Sequence, residues 1–115
     1  MRRGDVFLAR LDPVEGSEQA GFRPVVIVSR NALNSSSPIV VVVPITSHKK
    51  ARRLYPSQVL VSGENGGLKV DSVVLCEQVR AIAKTRLGEK WGMLQGRTMV
   101  QIDRALLICL DLPGQ

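Results

Sequence analysis

Aromatic side chains are scarce in this chain: Phe7, Phe22, Tyr55 and Trp91 are all it has, 3% of the residues. A sheet that reads RNA by stacking two or three bases on a row of rings needs more than this, so that class of binding module is excluded. Cysteine and histidine are scarcer still. Cys76 in VVLCEQ and Cys109 in LLICLDL form no CxxC pair, and the lone His48 completes no tetrahedral set with them. Both cysteines lie in apolar surroundings, where a reduced thiol packs as a small hydrophobe. Neither a metal site nor a disulfide is expected. The apolar runs at 25–28 and 39–45 are far shorter than the ~20 residues of a membrane-spanning helix, and no apolar signal core follows Met1. A soluble, cytoplasmic protein that does not enter membranes is expected. A Walker loop, a dinucleotide fingerprint, an HExxH pair and a nucleophile elbow are also missing, so no cofactor is expected.

What is present in excess is positive charge. Sixteen Lys and Arg stand against ten Asp and Glu, a net +6 with a pI near 10.0, and eleven of the sixteen are Arg. The planar guanidinium fork suits bidentate phosphate contacts better than an ammonium does. The charge is also uneven: residues 31–48 carry none with His neutral, and then Lys49, Lys50, Arg52 and Arg53 arrive together. That cluster suits a nucleic-acid contact as well as a solvated loop tip.

The 115 residues fit one domain, 1–115, and no repeat or linker divides them. Residues 5–11 (DVFLARL) read as a strand stopped by Asp12-Pro13. A polar loop, EGSEQAGFR, leads into a second strand over 24–29. Residues 31–38 (NALNSSSP) read as a turn-rich connection, and 39–45 as a third strand. Pro44 cannot donate to a sheet ladder, so an edge, a bulge or the end of the strand is expected there. A further strand over 57–61, a hairpin signal at 62–67, strand composition over 70–82, a helical turn at 84–88 and a short strand at 91–94 follow. Met99, Ile102, Leu106 and Cys109 recur at helical spacing and predict a helix over 98–110. Many short strands with one terminal helix imply a mainly β fold: a small, strongly curved antiparallel sheet or partly open barrel.

Chemistry must then come from polar residues on loops beside strands, namely Ser17, Glu18, Gln19 and Arg23 in one loop and Thr46-Ser47 after the next strand. Strands joined by a short connection are antiparallel neighbours, which brings Arg23 close to Thr46. An arginine and a hydroxyl converging at a sheet end suit a phosphate, with Glu18 near enough to orient the arginine or accept a proton. The same residues also suit a surface ion pair between Glu18 and Arg23, with Thr46 capping a turn.

RRGDVFLARLDP, GSEQAGFRPVVIVS, VVVPITS and LKVDSVVLCEQVRAIAKTRLG stand in an order and spacing that resembles the MazF/PemK toxins, sequence-specific endoribonucleases of bacterial toxin–antitoxin pairs. The resemblance runs from Arg3 to about Leu110. It implies an SH3-like antiparallel barrel with a C-terminal helix, a homodimer, a cognate antitoxin, and metal-independent cleavage of single-stranded RNA to a 2′,3′-cyclic phosphate and a 5′-hydroxyl. Arg23 of the RP element and Thr46 of the ITS element match the pair held to act at the scissile phosphate, and Glu18 matches an acid implicated in some members. Glu18 is the expected general base, with His48 and Arg23 as the alternatives. Ser17 and Gln19, together with Glu77, Gln78 and Arg86, are expected to hold the RNA. The chain departs from the family between Ser47 and Pro56, where HKKARRLY lengthens and charges a loop that helps relatives choose their RNA. Phe22 also stands where relatives differ, and burial beneath the loop is expected for it; Trp91 is expected to pack and Tyr55 to lie at a rim. Two other readings remain open: a toxin of this fold that poisons a topoisomerase by binding, as some relatives do, and a non-catalytic RNA-binding barrel.

Overall fold

Runs of β-branched residues set the strands, because a branched Cβ packs well on a pleated surface. The computed structural model describes residues 1–11, 15–16, 21–48 and 53–114. Within them the chain runs β1 (Asp5–Arg10), β2 (Phe22–Ile27), α1 (Asn31–Ser36), β3 (Ile39–Ser47), β4 (Gln58–Val61), β5 (Ser72–Leu75), β6 (Arg80–Ala83), β7 (Leu87–Met93) and α2 (Gly96–Leu110). Short 3₁₀ turns occupy Asn65–Gly67, Cys76–Gln78 and Lys84–Arg86. Every strand pair is antiparallel, in the order β4-β5-β3-β2-β1-β7, with β6 added to β3. The ends of that order, β4 and β7, do not pair, so this mainly β fold with its C-terminal helix is an open, curved sheet, as expected.

The centre of the sheet is β3. One edge pairs with β2, as Val25↔Pro44, Val26↔Val43 and Ile27↔Val42. The other edge pairs with β6 over residues 39–42 and with β5 over residues 45–47. Val28 N donates to Val41 O at 2.9 Å, and the antiparallel alternation then turns Val43 toward β2 and the bare nitrogen of Pro44 toward the far edge. There the partner chain leaves the ladder as the Cys76–Gln78 turn. Val42 pairs with Arg80 and Ile45 with Val74, so the chain beside Pro44 is looped out where no donor awaits it. The bulge anticipated at Pro44 thus lies in the neighbouring strand, and residues 70–82 form two strands about it rather than one.

Alternation along β1, β2 and β3 builds a core on each side of the sheet. Val6, Val26, Val43 and Ile45 face α2, where Met99, Ile102 and Ala105 meet them. Ala9, Leu11, Val25, Ile27, Val42 and Ile82 fill the other side. Ile102 has 0% exposure, and burial of such a side chain is worth ~1.5–3 kcal/mol. Arg3 ties helix to sheet: it pairs with Asp103 of α2 and donates from Nε to Val28 O at 3.0 Å.

Several boundaries differ from the sequence reading. Residues 31–38 hold a helical turn and a half, α1, rather than turns alone. Buried Asn34 donates from Nδ2 to Ser29 O at 2.8 Å, and Ser29 Oγ accepts from Val41 N at 3.1 Å, so a side-chain network fixes the connection where helix propensity is weak. β2 begins at Phe22, β3 continues through Pro44 to Ser47, and β7 starts at Leu87 because it borrows its ladder from β1 despite Gly88, Glu89 and Lys90.

Both cysteines are free thiols. Burial, with a smaller push from the neighbouring Glu77 carboxylate, raises the Cys76 thiol from its ordinary 9.0 to about 12. The folded chain therefore keeps a proton that the unfolded chain releases, so this contribution to stability is complete below about pH 9 and is lost as pH climbs toward about 12. Alkylation at pH 8 followed by peptide mapping should leave Cys76 unmodified in the native protein and modify it after unfolding.

The Asn65–Gly67 turn presses its backbone onto β7. Gly67 has φ +78°, and a Cβ there would stand 2.1 Å from Trp91 O. Gly67→Ala should cost roughly 2 kcal/mol or more in a urea melt. Gly96→Ala, at the open start of α2 with nothing within 4 Å of the added carbon, should shift stability by no more than about 1 kcal/mol.

Candidate active site

The register of β2 on β3 places the candidate pair. Two residues beyond Val25↔Pro44 in each strand, Arg23 stands opposite Thr46, while Arg23 pairs on its other side with Ala9 of β1. Both residues line one cleft of about 190 Å³ at the strand ends, where residues from the two faces of the sheet meet. Thr46 is buried at 9% exposure and Arg23 is exposed. A hydroxyl therefore lies at the base of the cleft and a guanidinium at its mouth.

The same cleft contains Lys69, whose Nζ lies 5.0 Å from the centre of the Trp91 ring. This cation–π contact fixes an ammonium in the cleft that the Arg23 guanidinium also lines. Ser47 and Ser72, paired across β3 and β5, add hydroxyls, and Ser72 Oγ donates to Val70 O at 2.8 Å. Among the described lining residues there are cations and hydroxyls and no carboxylate. Beside apolar Pro24, Ile45, Leu68, Val70 and Trp91, these charges favour an anion over a cation.

His48 follows directly at the end of β3. Its backbone N donates to Asp71 O at 2.8 Å, and its buried Nδ1 has no hydrogen-bond partner among the described residues. His48 is not among the residues that line the cleft.

The remaining predicted residues scatter. Ser17, Glu18 and Gln19 lie outside the described residues, as do Lys49, Lys50 and Arg52 of the basic cluster. Glu77, on the turn between β5 and β6, accepts from Gln58 Nε2 at 2.7 Å, and Gln78 is half-buried on that turn; neither lines the cleft. Arg86 lines a second cleft, with Arg10 and Phe22, and its Nη1 donates to Arg10 O at 3.2 Å. Phe22 corrects an expectation. It is not buried beneath the loop but 69% exposed, because the first residue of β2 lies beyond the end of the core that Val26 joins on the same face. Tyr55 is exposed with the Arg53 guanidinium 5.7 Å from its ring centre, and Trp91 packs half-buried on the α2-side core, both as expected. Lys69 was not foreseen. Nothing in GGLKVD marks it, since only the glycine turn against β7 carries it to Trp91.

No three His, Cys, Asp or Glu side chains gather to hold a metal ion among the described residues, and no described helix is long and apolar enough to cross a membrane.

Known proteins are similar to this chain in sequence and in fold. A family model described as PemK-like, MazF-like toxin of type II toxin–antitoxin system matches residues 2–110. A curated endoribonuclease MazF of Staphylococcus epidermidis is 45% identical over 112 residues, which is 97% of this chain and 92% of that protein. Among solved structures, an endoribonuclease in complex with its cognate antitoxin from Mycobacterial species superposes with a TM-score of 0.82 at 29% identity, over 100% of this chain and 99% of that one. A MazF from Deinococcus radiodurans gives a TM-score of 0.82 at 25% identity, over 97% of both chains. With the match extending over nearly its whole length, the chain belongs to the PemK-like, MazF-like toxins of type II toxin–antitoxin systems.

Proposed function

We propose that this toxin is an endoribonuclease that cuts single-stranded RNA in the cleft between Arg23 and Thr46. The observation that carries this reading is the lining of that cleft, with two cations and hydroxyls at one sheet end and no described carboxylate to repel a phosphate. The substrate's own 2′-OH attacks the adjacent phosphorus, the bond to O5′ breaks, and the products are a 2′,3′-cyclic phosphate and a 5′-OH. Charge grows on the non-bridging oxygens as the phosphorus becomes pentavalent. Arg23 and Lys69 neutralise that charge, and Thr46 donates a hydrogen bond from below. One group must take the 2′-OH proton and one must protonate O5′. Glu18 is assigned as the base, with Arg23 and His48, whose Nδ1 has no hydrogen-bond partner among the described residues, as the alternatives. Ser17, Gln19, Glu77, Gln78 and Arg86 are assigned to the rest of the strand.

The charge at this cleft comes from side chains, so cleavage should persist in excess chelator. Arg23→Ala and Thr46→Val should each lower single-turnover cleavage by roughly 10²–10³-fold without unfolding the protein. Replacing the single 2′-OH at the cut site by hydrogen should abolish it. Equal cutting of the deoxy-substituted strand would overturn the mechanism. Toxicity that persists in Arg23→Ala without RNA cleavage would favour the topoisomerase-poison reading, and binding with no product would favour the non-catalytic barrel.

The toxin works in the cytoplasm, where its RNA is, and a cognate antitoxin holds it in check. Structural neighbours include an endoribonuclease with its cognate antitoxin, and the net +6 of this chain suits an acidic partner segment. The active form is a homodimer. Its support is an apolar groove of about 470 Å³ between β4 and α2, bordered by exposed Leu60, Val100 and Ile108. Val100→Asp should convert a dimer to a monomer in light scattering after gel filtration, with circular dichroism unchanged.

A further inference from the structure

Phe22 has the most exposed aromatic ring in the chain's described residues, at 69%, and a rigid strand presents it. Arg10 is its direct partner across β1 and β2. The two border a cleft of about 330 Å³ with Leu8, Leu87 and Gly88 along it and Arg86 at its rim. The Arg86 guanidinium is pinned there by its hydrogen bond to Arg10 O at 3.2 Å. No carboxylate lines this cleft among the described residues. The volume falls at the small end of the ~300–1,000 Å³ range for ligand clefts.

Position relates this cleft to the first one. Leu8 pairs with Pro24 and Arg10 with Phe22. Successive same-face positions in a strand are about 6.6–6.8 Å apart, so Phe22 and Pro24 stand side by side on one face. Pro24 lines the Arg23–Thr46 cleft, and Leu8 lines the Phe22 cleft. The two clefts therefore adjoin along β2, and a polyanion that passes Pro24 at the edge of the first cleft reaches Phe22 within one repeat of the strand.

We propose that the Phe22 cleft binds one nucleotide of the RNA next to the cut site. The base stacks on the Phe22 ring, and Arg10 and Arg86 pair with the phosphate attached to it. The inference rests on the RNA-cleaving reading above and extends it to a second subsite. Ring plus guanidinium is the combination that grips single strands, through stacking that accepts any base and charge that follows the backbone. A single ring between two arginines is too small an apolar patch for a protein interface, which covers roughly 800 Å² on each partner.

The test uses the full chain and an RNA oligomer carrying a cut site mapped for the wild-type protein. Phe22→Leu keeps an apolar side chain without a π-face, and Phe22→Trp keeps the face. Phe22→Leu should lower kcat/KM on the order of 10-fold, mainly through KM, and weaken binding of the uncleavable 2′-deoxy strand equally, while Phe22→Trp retains both. An abasic nucleotide at one position flanking the cut should cost the wild type a similar factor and cost Phe22→Leu nothing further. Arg10→Gln should reduce the log–log salt slope of binding by about 0.7. Wild-type kinetics in Phe22→Leu, or an abasic penalty of equal size in both proteins, would overturn this subsite while leaving the Arg23-dependent cleavage standing. A change of oligomeric state in Phe22→Leu with RNA binding intact would overturn it in favour of a contact between subunits. Failure of the wild type to cut any RNA would remove the parent reading and this one together.

Discussion

The pairing of β2 with β3 in one register is the constraint on which everything else depends. A slip of a single residue would send every side chain of β2 to the opposite face. Here both faces are buried: Val26 and Val43 press toward α2, and Val25, Ile27 and Val42 toward the second core. A slipped strand would still find apolar neighbours on either side. It would, however, misplace each branched side chain in a close-packed layer, and packed interiors tolerate that poorly. The position of Arg23 over Thr46 is thus enforced by contacts that neither residue makes.

Pro44 contributes from the opposite edge. By withholding a donor, it makes room for the Cys76–Gln78 turn, and that turn lets one length of chain serve β3 twice, as β5 beside Thr46 and as β6 beside Val40. The change of partner bends the sheet. Bending brings Ser72, Val70 and Lys69 to the strand ends, where Trp91 of β7 meets the Lys69 ammonium. The anion-accepting character of the cleft is therefore assembled from four strands and one loop.

On the readings proposed above, the two clefts divide one task by chemistry. Charge and hydroxyls at Arg23, Lys69 and Thr46 suit a phosphate that changes its bonding, whereas the ring and paired arginines at Phe22 suit a nucleotide that is only held. A small basic domain with few aromatic residues gains little from a stacking platform, but one exposed ring beside the reacting group is enough to position a strand.

Much of this was readable from residue order. Alternating branched residues marked the strands, the helical spacing from Met99 to Cys109 marked α2, and the short link between the second and third strands brought Arg23 to Thr46, because these signals arise from local periodicity and chain connectivity. The family resemblance named the same two residues. Other features were not legible. The α1 turn depends on Asn34 reaching back to Ser29, β7 on a ladder lent by β1, and the exposure of Phe22 on which residues the folded strand leaves outside both cores. Lys69 entered the site only through its contact with a tryptophan distant in sequence. Periodicity and short loops are written into the chain itself; burial, exposure and convergence of charge belong to the packed molecule, since they depend on which distant segments come to lie against each residue.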